Sequence, residues 1–176
     1  MQENKPVLIV GLGNPGNEYM RTRHNVGFMA IDSLSGTNSV WRNEYNAMTS
    51  RGVLAGHNVI FVKPQTYMNN SGDAVGAIMR FYKIPLENLI VIHDDMDLKT
   101  GGIKTKIGGG SAGHNGIKSI DAAVGADYRR IRIGISHPRD VNSPISPSDW
   151  VLGCFSDDEI VLIESAIDNI SLEKYL

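Results

Sequence analysis

The run Val7-Leu-Ile-Val-Gly-Leu-Gly-Asn-Pro-Gly16 decides how the rest of the chain is read. Four apolar residues lead directly into glycines at 11, 13 and 16. A short continuous apolar run bounded by turn residues predicts a strand buried on both faces, as in a parallel or mixed sheet. Gly11-x-Gly13-x-x-Gly16 after a strand is also the fingerprint of a dinucleotide-binding turn. That alternative requires a second parallel strand ending in an acid ~20 residues later. Here Asp32 falls inside a helical pattern, Pro15 and Asn17 suit a turn, and the stretch runs on into Thr22-Arg-His-Asn25. The glycines therefore read as a strand-end loop that lets backbone approach a neighbour, with Asn14 projecting from it. No cofactor is expected.

Working outward, Val26–Leu34 predicts a helix with Phe28, Ile31 and Leu34 on one side. Ala47–Ala55 and Val59–Lys63 predict two strands joined across Gly56-His57-Asn58. Ser71–Tyr82 is helical in pattern, with Val75, Ile78, Met79 and Tyr82 as its apolar face. Leu89–His93 is a second buried strand, ending in the cluster His93-Asp-Asp-Met-Asp97. Ile103–Ile107 reads as a polar edge strand, followed by a glycine-rich loop, a helix near Gly116–Val124 and a strand at Arg130–Ser136. Ser156-Asp-Asp-Glu159 is a capping box opening a helix with Ile160, Ile163, Ile167 and Ile170 inward. Strands alternate with helices but a hairpin interrupts them. The expected fold is one α/β domain over residues 1–176, a mixed twisted sheet flanked by helices.

Composition restricts the function classes. Hydrophobic content of 41% and charged content of 20% are ordinary for a globular chain of 176 residues. The apolar runs fall far short of the ~20 residues of a membrane helix, so no membrane partner is expected. The single cysteine, Cys154, excludes an intramolecular disulfide. With an N-terminus lacking a signal-peptide layout, it predicts a cytoplasmic protein. The formal charge of −2 hides a split. From Lys99 to Asp140 eight lysines and arginines stand against three acids, whereas from Val141 to Leu176 seven acids stand against one lysine. The basic stretch could face an anionic partner.

Three sets of residues carry candidate chemistry. Gly109-Gly-Ser111-Ala-Gly113 fits the spacing of a nucleophile elbow, with Asp121 or Asp127 and His137 following in order. Its preceding strand is half charged, however, and the glycines before Ser111 favour a mobile loop over a rigid turn. The acidic cluster with His93 could ligate a metal, but adjacent Asp94 and Asp95 point to opposite faces of a strand, so none is expected. The third set is dispersed: Asn14, His24, Asn69, Asp94 and Asn115, each at a predicted strand end or helix start, where sites on α/β sheets gather. Asp94 could accept a hydrogen bond from one ring nitrogen of His24 and leave the other to take a proton. The asparagine amides could serve a developing oxyanion or position a substrate. An RNA-binding protein without catalysis would use the same basic stretch but leaves His24 and Asp94 unexplained.

Several blocks, taken in order, resemble one family. They are Gly11–Gly16, Tyr19, Thr22-Arg-His-Asn25, Lys63-Pro-Gln-Thr-Tyr-Met-Asn-Asn-Ser-Gly72, His93–Leu98, Gly109–Gly116 and Arg132-Ile-Gly-Ile-Ser-His-Pro138. Together they are similar to bacterial peptidyl-tRNA hydrolases from Val7 to about Phe155. The resemblance implies an esterase cutting between a peptide and the 3′-ribose of tRNA, in a monomeric three-layer, phosphorylase/hydrolase-like α/β sandwich without cofactor or metal. It implies that His24 is the base, Asp94 its support, and Asn14 the residue distinguishing peptidyl from aminoacyl ends. Tyr19, Tyr67, Asn69 and Asn115 match contacts to the tRNA end or the peptide, and Lys106 and Arg132 match phosphate contacts, with Lys104 nearby. Tyr67 stands where that family often has phenylalanine, which keeps a stacking face. The chain also stops sooner, at Leu176, than many of that family.

Overall fold

The computed structural model describes residues 4–176; the first three residues of the expected 1–176 domain lie outside it. Val7–Gly11 forms β1, every residue of it buried. It lies between two parallel neighbours, β4 (His57–Pro64) and β5 (Leu89–Asp95). This position explains why its side chains are apolar without alternation: both faces are covered. The remaining strands are β2 (Arg42–Glu44), β3 (Ala47–Leu54), β6 (Ile103–Ile107) and β7 (Arg129–Gly134). One seven-stranded sheet results, ordered β2-β3-β4-β1-β5-β7-β6. β7 runs parallel to β5, while β2, β3 and β6 pair antiparallel with their neighbours, so the sheet is mixed as expected.

Helices α1 (Val26–Leu34), α2 (Ser71–Tyr82), α3 (Asn115–Val124), α4 (Pro147–Leu152) and α5 (Asp157–Asp168) complete the fold. Residues of α2 and α3 share one apolar cluster with Leu8, Val10 and Val91. Residues of α1, α4 and α5 share the other with Ile9, Ile90 and Ile131. Alternate residues of the same strands thus feed two cores, giving three layers.

The structure corrects the sequence reading at several points. The hairpin turns at Ala55-Gly56, not at residues 56–58, because Leu54 pairs with His57 and leaves two residues for the loop. Both have positive φ, 48° and 79°, as the tightest hairpin turns require. β2 and its turn at Tyr45-Asn46 were not foreseen: three polar residues carry no periodic signal. Nor was α4, which has six residues and is too short to persist alone. It is anchored by one buried side chain, Trp150, whose burial contributes on the order of 2–3 kcal/mol. The predicted face of α1 is also shifted. Val26, Gly27, Ala30 and Ile31 are buried, while Phe28 lies at the margin. Small residues set this face, since a Cβ at Gly27 would sit 2.4 Å from the Leu12 backbone nitrogen and 2.5 Å from the Ile92 oxygen. Finally, α5 ends at Asp168, so Ile170 packs on the core from beyond the helix.

Gly11 and Gly13 share the packing role of Gly27. A Cβ on Gly11 would meet the Gly27 carbonyl oxygen at 2.1 Å, and one on Gly13 would strike the Phe28 ring at 2.7 Å. Gly16 holds φ at 106°. Gly11 and Gly13 thus serve close packing against α1, and the fourteen-residue excursion from Leu12 to Asn25 separates strand from helix.

Candidate active site

The buried strand β5 ends in carboxylates whose backbone its neighbours fix and whose side chains diverge. Asp95 accepts from the Asp97 backbone nitrogen at 2.8 Å and from Arg132 Nη1 at 3.3 Å. Asp94, on the other face, meets two histidines. His24 Nδ1 lies 3.0 and 2.9 Å from its two oxygens, and His114 Nε2 lies 2.8 Å from Oδ1. His24 arrives on a short 3-10 turn, Arg23–Asn25, just before α1, and His114 caps the N-terminus of α3.

Hydrogen-bond accounting fixes the tautomers. His114 Nδ1 accepts from the Ile117 backbone N–H at 3.3 Å, so its proton is on Nε2 and donates to Asp94. His24 donates from Nδ1 to the same carboxylate, which leaves Nε2 as a lone-pair acceptor. Burial is the largest influence on His24 and opposes its charge, but the Asp94 charge and hydrogen bond together outweigh it and raise the pKa above its ordinary 6.5. Burial also opposes ionisation of Asp94, yet its two imidazole partners hold it well below the usual carboxylate range. His93, fully enclosed, is pushed down to about 3 by burial and the neighbouring His114, and its Nδ1 donates to the Asp94 carbonyl.

A cleft of about 410 Å³ opens beside His24. It brings together Asn14, Tyr19, Tyr67, Asn69 and Asn115, five residues singled out in the sequence. Asn14 is held rigidly. Asn25 grips its backbone from both sides, accepting from Asn14 N at 2.8 Å and donating to Asn14 O at 2.9 Å. The Asn14 side-chain oxygen accepts from Met68 N at 2.8 Å, which commits the carbonyl and leaves the NH2 for the cleft. That Met68 N–H is aimed by Tyr67, a non-glycine residue at φ 63°, ψ 157°. Such a conformation costs ~1–3 kcal/mol and persists where surrounding contacts hold it. Tyr19 and Tyr67 meet edge to face at 6.4 Å across the cleft mouth. A smaller cavity of about 190 Å³ also touches His24, lined by His93, Asp94, Asp97, Ser111 and His114 among others.

Lys106 and Arg132 do not line either space. They stand with Lys104 and Arg130 on one face of the β6–β7 edge, where the register pairs Lys104 with Arg132 and Lys106 with Arg130. Arg132 is tied to Asp95 and Lys106 Nζ donates to the Gly110 carbonyl at 3.0 Å. The elbow reading of Ser111 fails on geometry. Asp121 is bound to Arg130 and Tyr128, and His137 accepts from the Arg139 backbone. Three residues that hold the site carried no assigned role in the sequence: His114, Asn25 and Met68. All three stand inside the blocks that carry the family resemblance, and the polar side chains of His114 and Asn25 next to glycine and histidine were the available signal.

His24, Asp94 and His114 place their ligand atoms within 4.8 Å of one another, a spacing that could hold a metal ion. A metal on His114 Nε2 would, however, move its proton to Nδ1, against the Ile117 N–H it now accepts from. The set is suited to hydrogen bonding rather than ligation.

The peptidyl-tRNA hydrolase family model matches residues 8–173. Peptidyl-tRNA hydrolase of Bartonella henselae is 50% identical over 171 residues, covering 94% of this chain and 87% of that protein. The Rickettsia bellii enzyme of the same name is 47% identical over 168 residues, covering 94% and 89%. The crystal structure of peptidyl-tRNA hydrolase from Acinetobacter baumannii superposes with a TM-score of 0.89 at 40% identity, covering 99% of this chain and 88% of that one. The family model, the similar sequences and the superposed fold agree: the chain belongs to the peptidyl-tRNA hydrolase family.

Proposed function

We propose that this protein hydrolyses the ester between a peptide and the 3′-ribose of tRNA with water activated by His24, acting as a cytoplasmic monomer without metal or cofactor. The observation that carries this reading is the Nδ1 hydrogen bond from His24 to Asp94, which leaves Nε2 facing a cleft rimmed by amides. Nε2 takes a proton from water as the oxygen attacks the ester carbonyl, a role worth ~10²–10⁴-fold. An amide donor from Asn69 or Asn115 meets the developing oxyanion, worth ~10²–10³-fold. Collapse of the intermediate breaks the bond to the ribose oxygen, and the imidazolium returns its proton to that oxygen. The products are a peptide acid and tRNA with a free 3′-hydroxyl. An acyl ester is activated enough that no serine nucleophile is required.

Asn14 supplies discrimination. Its NH2 can donate to the amide carbonyl of the acyl group next in line, which a peptidyl end has and a free aminoacyl end lacks. An ammonium in that place has no acceptor to meet. The direct test is release of N-acetylaminoacyl groups from tRNA, compared with aminoacyl-tRNA. Binding of both without cleavage would instead mark an RNA-binding protein.

The ionisation of His24 sets a pH profile. The base works only when neutral, so kcat/KM falls as pH drops through its pKa, and the shift is upward. The acid limb is therefore expected above pH 6.5, measurable from kcat/KM between pH 5 and 9 (about the range His titration covers).

The lysines on the β6 edge are proposed to grip phosphates. Lys106→Ala is expected to raise KM with little change in kcat and to lower the slope of log affinity against log salt by ~0.7–0.9. Arg132→Ala is a less direct probe, because it also removes the partner of buried Asp95. Unchanged salt dependence for Lys106→Ala would remove the phosphate role.

A further inference from the structure

Asn14 lines the cleft at His24 and also a second hollow of about 300 Å³. Met20, Phe28, Met29 and Met48 supply its apolar surface, and Asp32 with Lys63 forms its rim. Phe28 reaches this position because Gly13 has no Cβ to meet its ring. Met20 is 59% exposed, with nothing in the fold requiring a large apolar side chain there. The rim cation is already satisfied: Lys63 Nζ lies 2.5 Å from Asp32 and 4.6 Å from the centre of the Trp41 ring. What the hollow offers a ligand is therefore its thioethers and the phenyl ring. Flexible methionines adapt to apolar groups of differing shape.

We infer that this hollow receives the apolar side chains of the peptide beyond the residue esterified to tRNA. The inference deepens the hydrolase reading and rests on it. Its direction follows from the order of the groups. The ester lies at His24, and the amide one residue further lies at Asn14. An extended peptide advances ~3.3–3.6 Å per residue, so the following residues lie past Asn14, where the hollow is. The smaller cavity that also touches His24 brings His93, Asp94, Asp95 and His114 to its wall, polar groups able to meet the ribose hydroxyls.

The test compares two substrates on the same tRNA with the same esterified residue: one N-acetylated at that residue, the other extended by two leucines before the acetyl group. The native protein is expected to cleave the longer substrate with kcat/KM about tenfold higher. Met20→Ser and Met48→Ser are each expected to bring that ratio toward one while cleavage of the short substrate stays unchanged. A native ratio near one, or variants that keep the ratio, would overturn the subsite, and so would equal losses on both substrates with Met20→Ser, whose exposed side chain leaves folding undisturbed. If neither substrate were cleaved, the hydrolase reading itself would fall and take the subsite with it, a result distinct from normal cleavage without length preference.

Discussion

Replacing His24 with alanine is expected to lower kcat by ~10²–10⁴-fold, the span of a positioned general base. tRNA affinity and its salt dependence should stay near native, because the lysines of β6 do not touch His24. The fold should persist as well. The turn that carries His24 is held by its neighbours: Arg23 lies over Trp150 at 3.5 Å, pairs with Glu159 at 2.9 Å and donates to the Trp150 carbonyl. The Arg23 backbone nitrogen adds a bond to Gly153 O. A thermal melt coincident with native, with single-turnover cleavage slowed a hundredfold or more, is the expected pair of results. Turnover within a few-fold of native would mean that another group takes the proton.

Asp94→Asn is expected to cost nearly as much, for a reason that leaves a second signature. A carboxylate accepts from both His24 Nδ1 and His114 Nε2, whereas a carboxamide offers one oxygen and one NH2. With its oxygen at Oδ1, the carboxamide sets its NH2 2.9 Å from the His24 Nδ1–H, donor against donor, and with its NH2 at Oδ1 it opposes both histidines, so a histidine bond is weakened or a tautomer changes. If His24 changes, Nε2 carries the proton and cannot accept another, and kcat falls by ~10²–10⁴-fold. Whatever activity remains should have a displaced pH profile. Asp94 supplies both influences that raise the His24 pKa, and burial supplies the one that lowers it. With the charge gone, burial acts unopposed and the acid limb moves below pH 6.5. A profile that stays where it was would show that Asp94 does not govern the ionisation of His24.

His114 tightens this arrangement. It is the second donor on Asp94 and cannot withdraw without leaving the Ile117 N–H short of its acceptor. The carboxylate is thereby kept ionised and in one rotamer. Gly116, the second residue of α3, has no space for a Cβ beside Met68 Sδ at 2.5 Å and Leu12 Cδ1 at 2.9 Å. The helix that carries His114 and Asn115 is thus packed directly against Met68 and against Leu12, two residues before Asn14.

Long apolar runs and strong caps were legible in the chain by itself. Val7–Val10, Leu89–Ile92, the period of Ser71–Tyr82 and the box at Ser156–Glu159 each state their structure locally, since a few neighbouring side chains decide it. The divergence of Asp94 and Asp95 was legible too, because successive residues on a strand must face apart. So were the residue types of the site, which the family resemblance gathered from blocks far apart in the chain. Other features had no local statement. β2 and α4 are too short to be periodic, and the buried face of α1 depends on how closely Gly27 can approach Leu12 and Ile92. The second histidine on Asp94, the Asn25 clamp on Asn14 and the commitment of Arg132 to Asp95 join residues 20, 11 and 37 positions apart. Those partnerships exist only once the sheet has brought its strand ends together, because a hydrogen bond reads distance in space and the order of residues does not encode it.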